Sequence, residues 1–251
     1  MTLRKNKKER LHLFDGVRGL CILGMVLYHA LFDGVYVYGL FFVPQAVLDG
    51  SVYMRDLGCV LFVLLGGICE HFGTEKYKRA FLLLGIGTGI SLISCIFMPQ
   101  QAVVFGVLSF MGAAGLLLQP LKKLLLRHPA GLFAGFAALF FLFFSAAYGR
   151  FGMYGLQFGA VPSIFYANTA TAILGFPPPT FSSSDYFPIF PWLFLYFAGY
   201  CLFPLLQKRK SFHRFAACNI KPLAFVGRYS LWFYLAHQPI LLGMFWLISK
   251  I

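Results

Sequence analysis

Four ionisable side chains stand along the first strongly apolar stretch of the chain: Asp15, Arg18, His29 and Asp33. On a helix, the eleven steps from Arg18 bring His29 back to within about 20° of the same direction, roughly 16 Å further along the axis. Asp15 and Asp33 each fall about 40° from His29 on this count. Because charge is costly at membrane depth, such a stripe faces a protein interior or a water-filled cavity and predicts chemistry there.

The types of these residues indicate proton transfer along a polar path. His29 and Asp33 are four residues apart, and a neutral imidazole oriented by a carboxylate is a good general base near neutral pH. The spacing places Arg18 about three turns away on the same face. We therefore interpret the first apolar segment as the wall of a polar path, with a base towards one end and a cation towards the other.

A second polar group lies in the last apolar segment and comprises Arg228, His237 and Gln238, followed by Pro239. Nine helical steps separate Arg228 from His237, so on one straight helix the two side chains lie about 180° apart. Proline removes a backbone hydrogen bond and kinks a helix. Either this kink redirects one side chain, or only one of the two faces the cavity.

Other polar residues have a functional and a structural interpretation. Arg55 and Asp56 open the second apolar segment, as a surface ion pair or as substrate-binding groups. Asp185 begins a segment that leads to Trp192, and it is interpreted equally as a helix cap or as a site residue. Glu70 and His71 are predicted to lie at the membrane interface.

The composition identifies the surroundings as lipid. Of the 251 residues, 59% are hydrophobic and 12% are charged, about half the charged share of a soluble domain. The apolar runs are long and do not alternate, so an all-α polytopic membrane helix bundle is predicted rather than a barrel. We expect about seven transmembrane helices, at 13–33, 53–72, 80–97, 102–121, 130–147, 186–206 and 223–248.

Charge distribution gives this bundle an orientation. Sixteen of the 21 Lys and Arg residues fall in the N-terminal tail and the even-numbered connections. The positive-inside rule then places the N-terminus in the cytoplasm and the C-terminus outside. The net charge of +13 is accordingly interpreted as a consequence of membrane topology rather than as a sign of nucleic-acid binding.

The predicted organisation is one integral membrane domain, residues 1–251, with a basic tail at 1–12 and a long outer loop at 148–185. The tail and first segment resemble a signal peptide, but the run is long and contains Arg18 and His29, so we expect it to be retained. The loop is expected to cover a cavity, and its stretch Ser163 to Phe176 to be re-entrant or interfacial. The six cysteines lack metal-binding spacing, and no metal is expected.

Several motifs resemble the transmembrane acyltransferase superfamily, and within it a bacterial family similar to the catalytic domain of heparan-alpha-glucosaminide N-acetyltransferase. The opening Phe14-Asp-Gly-Val-Arg-Gly19 followed by His29 is similar to the superfamily motif of an Arg and a His on the first helix. Three further stretches resemble the family: Val104–Gly112, Asp185–Trp192 and Phe225–Pro239. Together the similar stretches run over almost the whole chain.

The resemblance implies transfer of an acetyl (acyl) group from cytoplasmic acetyl-CoA to an extracytoplasmic sugar or glycan, by a protein of a bacterial-type cytoplasmic membrane. His29 would be the base or a transient acyl carrier, with Asp33 and Asp185 orienting it or the acceptor. The donor would meet Arg18, Arg228, His237 and Gln238, and the acceptor would meet Arg55, Asp56 and Trp192. A homodimer is compatible with this picture.

Two other functions stay open at this point. A small transporter or proton-coupled membrane protein also carries intramembrane His and Asp residues, although no inverted repeat is visible. A non-catalytic membrane assembly factor would tolerate replacement of His29 and Arg18. Sequence motifs of hydrolases and of primary ATPases are not found.

Overall fold

The computed structural model describes residues 12–216 and 218–250, without the side chains of residues 213–215. Helix accounts for 73% and strand for 4%, which confirms the predicted helical membrane class. The basic residues of the predicted tail, from Arg4 to Arg10, lie outside the described residues, as does the side chain of Arg214. The chain forms two compact units, one of residues 1–62 with 207–251 and one of residues 63–206.

Ten α-helices and one hairpin make up the described chain, with short 3₁₀ turns and a π-helical turn at Asp33–Val37. The helices are α1 His12–Phe32, α2 Gln45–Cys69, α3 Lys76–Phe97, α4 Val107–Leu125, α5 Pro129–Phe143, α6 Ala170–Leu174, α7 Ile189–Gln207, α8 Lys210–Ala216, α9 Lys221–Arg228 and α10 Ser230–Ile248. The strands β1 Arg150–Met153 and β2 Leu156–Ala160 pair antiparallel.

Six helices in the described part of the chain are long and apolar enough to cross a membrane: α1 with its π turn, α2, α3, α5 extended to Tyr148, α7 and α10. The fourth predicted segment, 102–121, also forms a helix, α4, but its last turn carries Lys122 and Lys123. Large apolar side chains such as Leu92, Ile96 and Trp232 are mostly exposed on α3 and α10, as expected for lipid-facing surfaces.

Some predicted segments have other bounds in the structure. Helix α2 begins at Gln45 rather than at residue 53, because the polar turns at its start are helical as well. The last segment is two helices, with the break at Tyr229 between α9 and α10. The stretch 163–176 forms a 3₁₀ turn and the short helix α6, and it follows a hairpin that alternation in the sequence did not indicate.

Glycines bring α1 and α9 into close backbone contact in the first unit. A Cβ atom added to Gly19 would meet the Leu223 carbonyl, and one added to Gly227 would meet the Asp15 carbonyl. Small residues permit such approach between membrane helices, where packing rather than hydrophobic transfer drives association. The glycines of two sequence motifs thus lie at one helix crossing.

In the second unit, α7 packs against the end of α2. A Cβ atom on Gly67 would meet the Tyr196 carbonyl, and one on Gly199 would meet the Leu64 carbonyl. Helix α7 is the most buried of the candidate spans in the described chain, with 56% of its apolar stretch buried. Helices α3 and α4 meet in the same way, with Gly112 against the backbone of Leu84.

Glu70 is buried in the second unit, with only 6% of it exposed. Its position at the membrane interface stays a prediction. The hydroxyl of Tyr196 donates to Oε1 of Glu70 at 3.0 Å, and Nε2 of Gln119 lies 3.3 Å from Oε2. Its neighbour His71 stacks on Tyr200 with ring centroids 4.2 Å apart. These donors offset part of the cost of burying a carboxyl group.

Candidate active site

His29 lies in the last two turns of α1, and the helix itself fixes the orientation of its ring. Nδ1 of His29 lies 3.0 Å from the carbonyl oxygen of Met25, one turn earlier. A carbonyl oxygen only accepts hydrogen bonds, so Nδ1 carries the proton of the neutral ring. The lone pair of neutral His29 is therefore on Nε2, which is the nitrogen that a general base uses to take up a proton.

The ring of His237 on α10 lies beside His29, with ring centroids 5.0 Å apart and planes tilted by 49°. Nδ1 of His237 lies 2.6 Å from the carbonyl oxygen of Tyr234, so this ring is held in the same tautomer. Two positive imidazolium rings at this spacing would repel by about 3 kcal/mol at an effective dielectric constant near 20. A charge on both rings at once is therefore disfavoured, whereas one added proton meets no such repulsion.

A second contact joins the same two helices next to the histidine pair. Nε2 of Gln238 donates to Oδ2 of Asp33 at 3.1 Å, and Asp33 is only 1% exposed. The side-chain oxygen of Gln238, Oε1, is also buried, and it has no hydrogen-bond partner in the described chain. The hydroxyl of Tyr38 donates to the Leu242 carbonyl at 3.1 Å, which fixes the turn after Asp33 against α10.

Arg55 and Asp56 form more than a surface pair. Nη2 of Arg55 lies 2.7 Å from Oδ1 of Asp56, while Nη1 donates to the Tyr28 hydroxyl at 2.9 Å. The guanidinium also lies over the Tyr28 ring, 5.0 Å from its centroid. Tyr28 in turn packs edge-on against His29, with centroids 5.5 Å apart. Tyr28 therefore links this ion pair to the histidine pair, a role that the sequence did not reveal.

A cleft of about 230 Å³ opens next to Tyr28, between the end of α1 and the start of α2. Its lining is partly aromatic and partly polar and consists of Tyr28, Phe32, Tyr36, Gln45, Leu48, Asp49, Ser51 and Val52. Nε2 of Gln45 donates to Oδ1 of Asp49 at 2.9 Å. Aromatic faces beside amide and carboxylate groups suit a polar ligand with apolar patches.

Arg18 and Arg228 are each adjacent in sequence to a glycine of the α1–α9 crossing, Gly19 and Gly227. The crossing holds the two backbone positions at the same end of this helix pair. Arg18 also forms an ion pair with Asp15 at 3.6 Å, and Arg228 is exposed in the last turn of α9. The sequence analysis placed Arg228 and His237 about 180° apart around one straight helix. This was wrong, because α9 ends at Arg228 and His237 lies on α10.

Asp185 and Trp192 belong to the second unit. Oδ2 of Asp185 accepts from the backbone N–H of Val107 at 3.0 Å and so caps α4, not the helix that follows Asp185 in the chain. Trp192 packs with aromatic rings, its centroid 4.8 Å from Phe187 and 5.4 Å from Phe140. The expected nearness of Asp185 to His29 stays a prediction.

The structure thus joins predicted residues that the sequence left in separate groups: His29 with His237, and Asp33 with Gln238. It also confirms the ion pair of Arg55 and Asp56. The sequence did not indicate Tyr28 or the cleft residues as site residues, because a Tyr in an apolar run is typical of a packing residue. A pairing signal was present in the position of His237 and Gln238 next to Pro239, but one sequence does not show which helix they face. In the described residues no cluster of three or more His, Cys, Asp or Glu side chains suits a metal.

Comparison with known families gives a match over nearly the entire chain. The family described as heparan-alpha-glucosaminide N-acetyltransferase, catalytic, matches residues 10–239, which include the two glycines of the α1–α9 crossing and both histidines. Comparisons with curated proteins and with solved structures give no match. With its apolar membrane helices and this match, the chain belongs to the family of transmembrane acetyltransferases represented by the catalytic domain of heparan-alpha-glucosaminide N-acetyltransferase.

Proposed function

We propose that this protein transfers an acetyl (acyl) group from cytoplasmic acyl-CoA to a sugar or glycan acceptor on the other side of a bacterial-type cytoplasmic membrane. The observation that carries the proposal is His29, whose Nδ1 is held by the Met25 carbonyl at 3.0 Å and whose Nε2 is thereby the basic atom. Family membership supports acetyl transfer, and the charge pattern of the sequence supports the direction.

In this proposal His29 acts as general base. The acceptor amine or hydroxyl attacks the thioester carbonyl, Nε2 of His29 takes the proton that this group loses, and the bond from the carbonyl carbon to sulfur breaks. Proton transfer of this kind contributes about 10²- to 10⁴-fold to a rate. The cleft next to Tyr28 is the acceptor side of the site, because Tyr28 both lines the cleft and packs against His29.

Arg18 and Arg228 bind the phosphates of the donor in this proposal. Guanidinium groups form bidentate, charge-assisted hydrogen bonds with phosphate oxygens. The roughly 16 Å along α1 between Arg18 and His29 suits a donor whose reactive thioester is joined to its phosphates by an extended arm. The α1–α9 crossing at Gly19 and Gly227 supports this role, since it holds both arginine positions at the same end of the helix pair.

Reconstituted proteoliposomes test the function. Acetyl-CoA labelled in the acetyl group is supplied on one side, and glucosamine or a lipid-linked aminosugar on the other. We expect label in the acceptor and none without protein. Solute or proton flux that needs no acyl-CoA, together with absent acetyl transfer, would establish the transporter alternative and overturn the proposal.

The donor site is tested with charge-neutralising variants. Arg18→Gln and Arg228→Gln should each raise KM for acetyl-CoA roughly tenfold, which corresponds to about 1.4 kcal/mol for one charge-assisted bond. Arg127→Gln is the matched control, since Arg127 is exposed and lies in a connection predicted to be cytoplasmic. An equal KM in all three variants would remove Arg18 and Arg228 from the donor site.

A further inference from the structure

The two histidines give the site a second proton-transfer group. We propose that His237 is a catalytic residue, the general acid that protonates the sulfur of CoA as it leaves. This inference rests on the acetyl-transfer function proposed above. The rings of His29 and His237 lie 5.0 Å apart, on helices α1 and α10 of the same unit.

The two rings are held alike, which leaves corresponding atoms for proton transfer. Nδ1 of each donates to a carbonyl of its own helix, that of Met25 for His29 and that of Tyr234 for His237. In each ring Nε2 is then the nitrogen that gains or loses a proton. Two groups of one kind, close together, share protons as a pair, and a pair that holds one proton supplies a base and an acid together.

The surroundings decide which ring takes which role. Tyr28 packs against His29 and lines the cleft, so His29 lies on the acceptor side and His237 is left for the donor sulfur. Arg55 of the Arg55–Asp56 ion pair contacts Tyr28, which packs against His29. On the other side, Asp33 is bound by Gln238, the neighbour of His237 in α10.

The step balances without a further reactant. The acceptor nitrogen or oxygen forms a bond to the acetyl carbon and gives its proton to Nε2 of His29, while the carbon–sulfur bond breaks. The sulfur receives a proton from Nε2 of His237, and the products are the acetylated acceptor and the free thiol of CoA. A bare thiolate would be costly in an apolar membrane interior, which is why a proton donor is needed there.

The pair then returns to its starting state by moving one proton. After transfer His29 is charged and His237 is neutral, and the proton passes from the first ring to the second. No net proton enters or leaves the membrane interior during a cycle. A single histidine would instead have to take the proton from the acceptor and then carry the same proton to the sulfur.

The test compares two acyl donors with His237→Gln. Transfer from acetyl-CoA should fall by about 10²-fold or more, as for loss of a general acid. Transfer from an acetyl thioester of p-nitrothiophenol, whose thiolate leaves without protonation, should fall less than about threefold, a much smaller loss than that of a general acid. His29→Gln should lose transfer from both donors, and His128→Gln, at an exposed position, should lose neither.

A pH profile provides a second readout that a purely structural role would not move. Wild-type kcat should follow a bell-shaped curve, and His237→Gln should lose the alkaline limb, where the acid is needed in its protonated form. Equal losses with the two donors, or an unchanged alkaline limb in a variant that unfolds at the wild-type temperature, would overturn the role of His237. Absence of transfer by the wild-type protein would instead overturn the function on which this role rests.

Discussion

Gln238 on α10 donates a hydrogen bond from Nε2 to Oδ2 of Asp33, a side chain that is 1% exposed and begins the π-helical turn directly after α1. The bond joins residues 205 positions apart in sequence. It stands next to the contact between His29 and His237, because Asp33 follows His29 by one helical turn and Gln238 follows His237 directly. The bond therefore fixes α1 and α10 to each other where the two rings meet.

Gln238→Leu is expected to lower the free energy of unfolding by about 1–3 kcal/mol, because it leaves the buried Asp33 oxygen without its donor. Chemical or thermal unfolding in detergent measures the loss. Gln157→Leu is the control, since it removes an exposed hydrogen bond with Arg150 and should change little. Replacing both Asp33 and Gln238 by Leu should recover part of the loss; no recovery would show that the bond is not the cause.

The crossing of α1 and α9 predicts a sharp difference between neighbouring glycines. Gly19→Ala and Gly227→Ala each place a methyl group against a backbone carbonyl, so we expect destabilisation by about 1–3 kcal/mol from overpacking. Gly16→Ala has no atom within 4 Å of the new methyl group and should be neutral or stabilising by up to about 1 kcal/mol. Unfolding curves of the three variants measure these changes in stability. Similar losses of stability at all three positions would contradict the close crossing.

Variants of Asp185 distinguish a helix-capping role from a role in the active site. Its Oδ2 accepts from the Val107 N–H at 3.0 Å, so Asp185→Ala should cost about 1 kcal/mol through loss of the α4 cap. Asp185→Asn keeps an oxygen acceptor and should retain both stability and acetyl transfer. Loss of transfer in a stably folded Asn variant would instead assign the carboxylate to the site.

His71 predicts a pH dependence of stability. Burial lowers the pKa of His71 below its ordinary value of 6.5, while its bond to the Tyr200 carbonyl opposes this in part. The unfolded chain then binds the proton more readily than the folded chain does. The stabilisation is complete above about pH 6.5 and is lost as pH falls through the folded-state pKa.

His71→Phe should reduce this acid sensitivity, because phenylalanine can keep the ring stack with Tyr200 but does not titrate. The measurement is the unfolding temperature of both proteins between about pH 7.5 and pH 5. The wild-type protein should lose more on acidification than the variant. Parallel curves would show that His71 is not the group responsible.

The sequence indicated the helical membrane class and most candidate residues, because long apolar runs and a charge such as Arg18 within them are direct consequences of lipid as solvent. Helix α1 and the stripe from Arg18 to His29 were predicted from periodicity alone. The pairing of His29 with His237 was not, since packing between helices 208 residues apart leaves no periodic signal in one sequence.

Other differences have local physical causes. The break at Tyr229 escaped prediction because no proline or glycine stands at residue 229 itself, and residues 223–248 look like one apolar run. The burial of Glu70 escaped prediction because a carboxylate after an apolar run usually meets water. Its burial depends on donors from Tyr196 and Gln119, which only the tertiary fold brings to it.

The most direct test of the central claim is single-turnover transfer of labelled acetyl from acetyl-CoA to an aminosugar by wild-type, His29→Gln and His128→Gln proteins at equal folded concentration. A general base at His29 predicts a fall of about 10²-fold or more in His29→Gln and the wild-type rate in His128→Gln. Transfer at the wild-type rate by a folded His29→Gln protein would contradict the account.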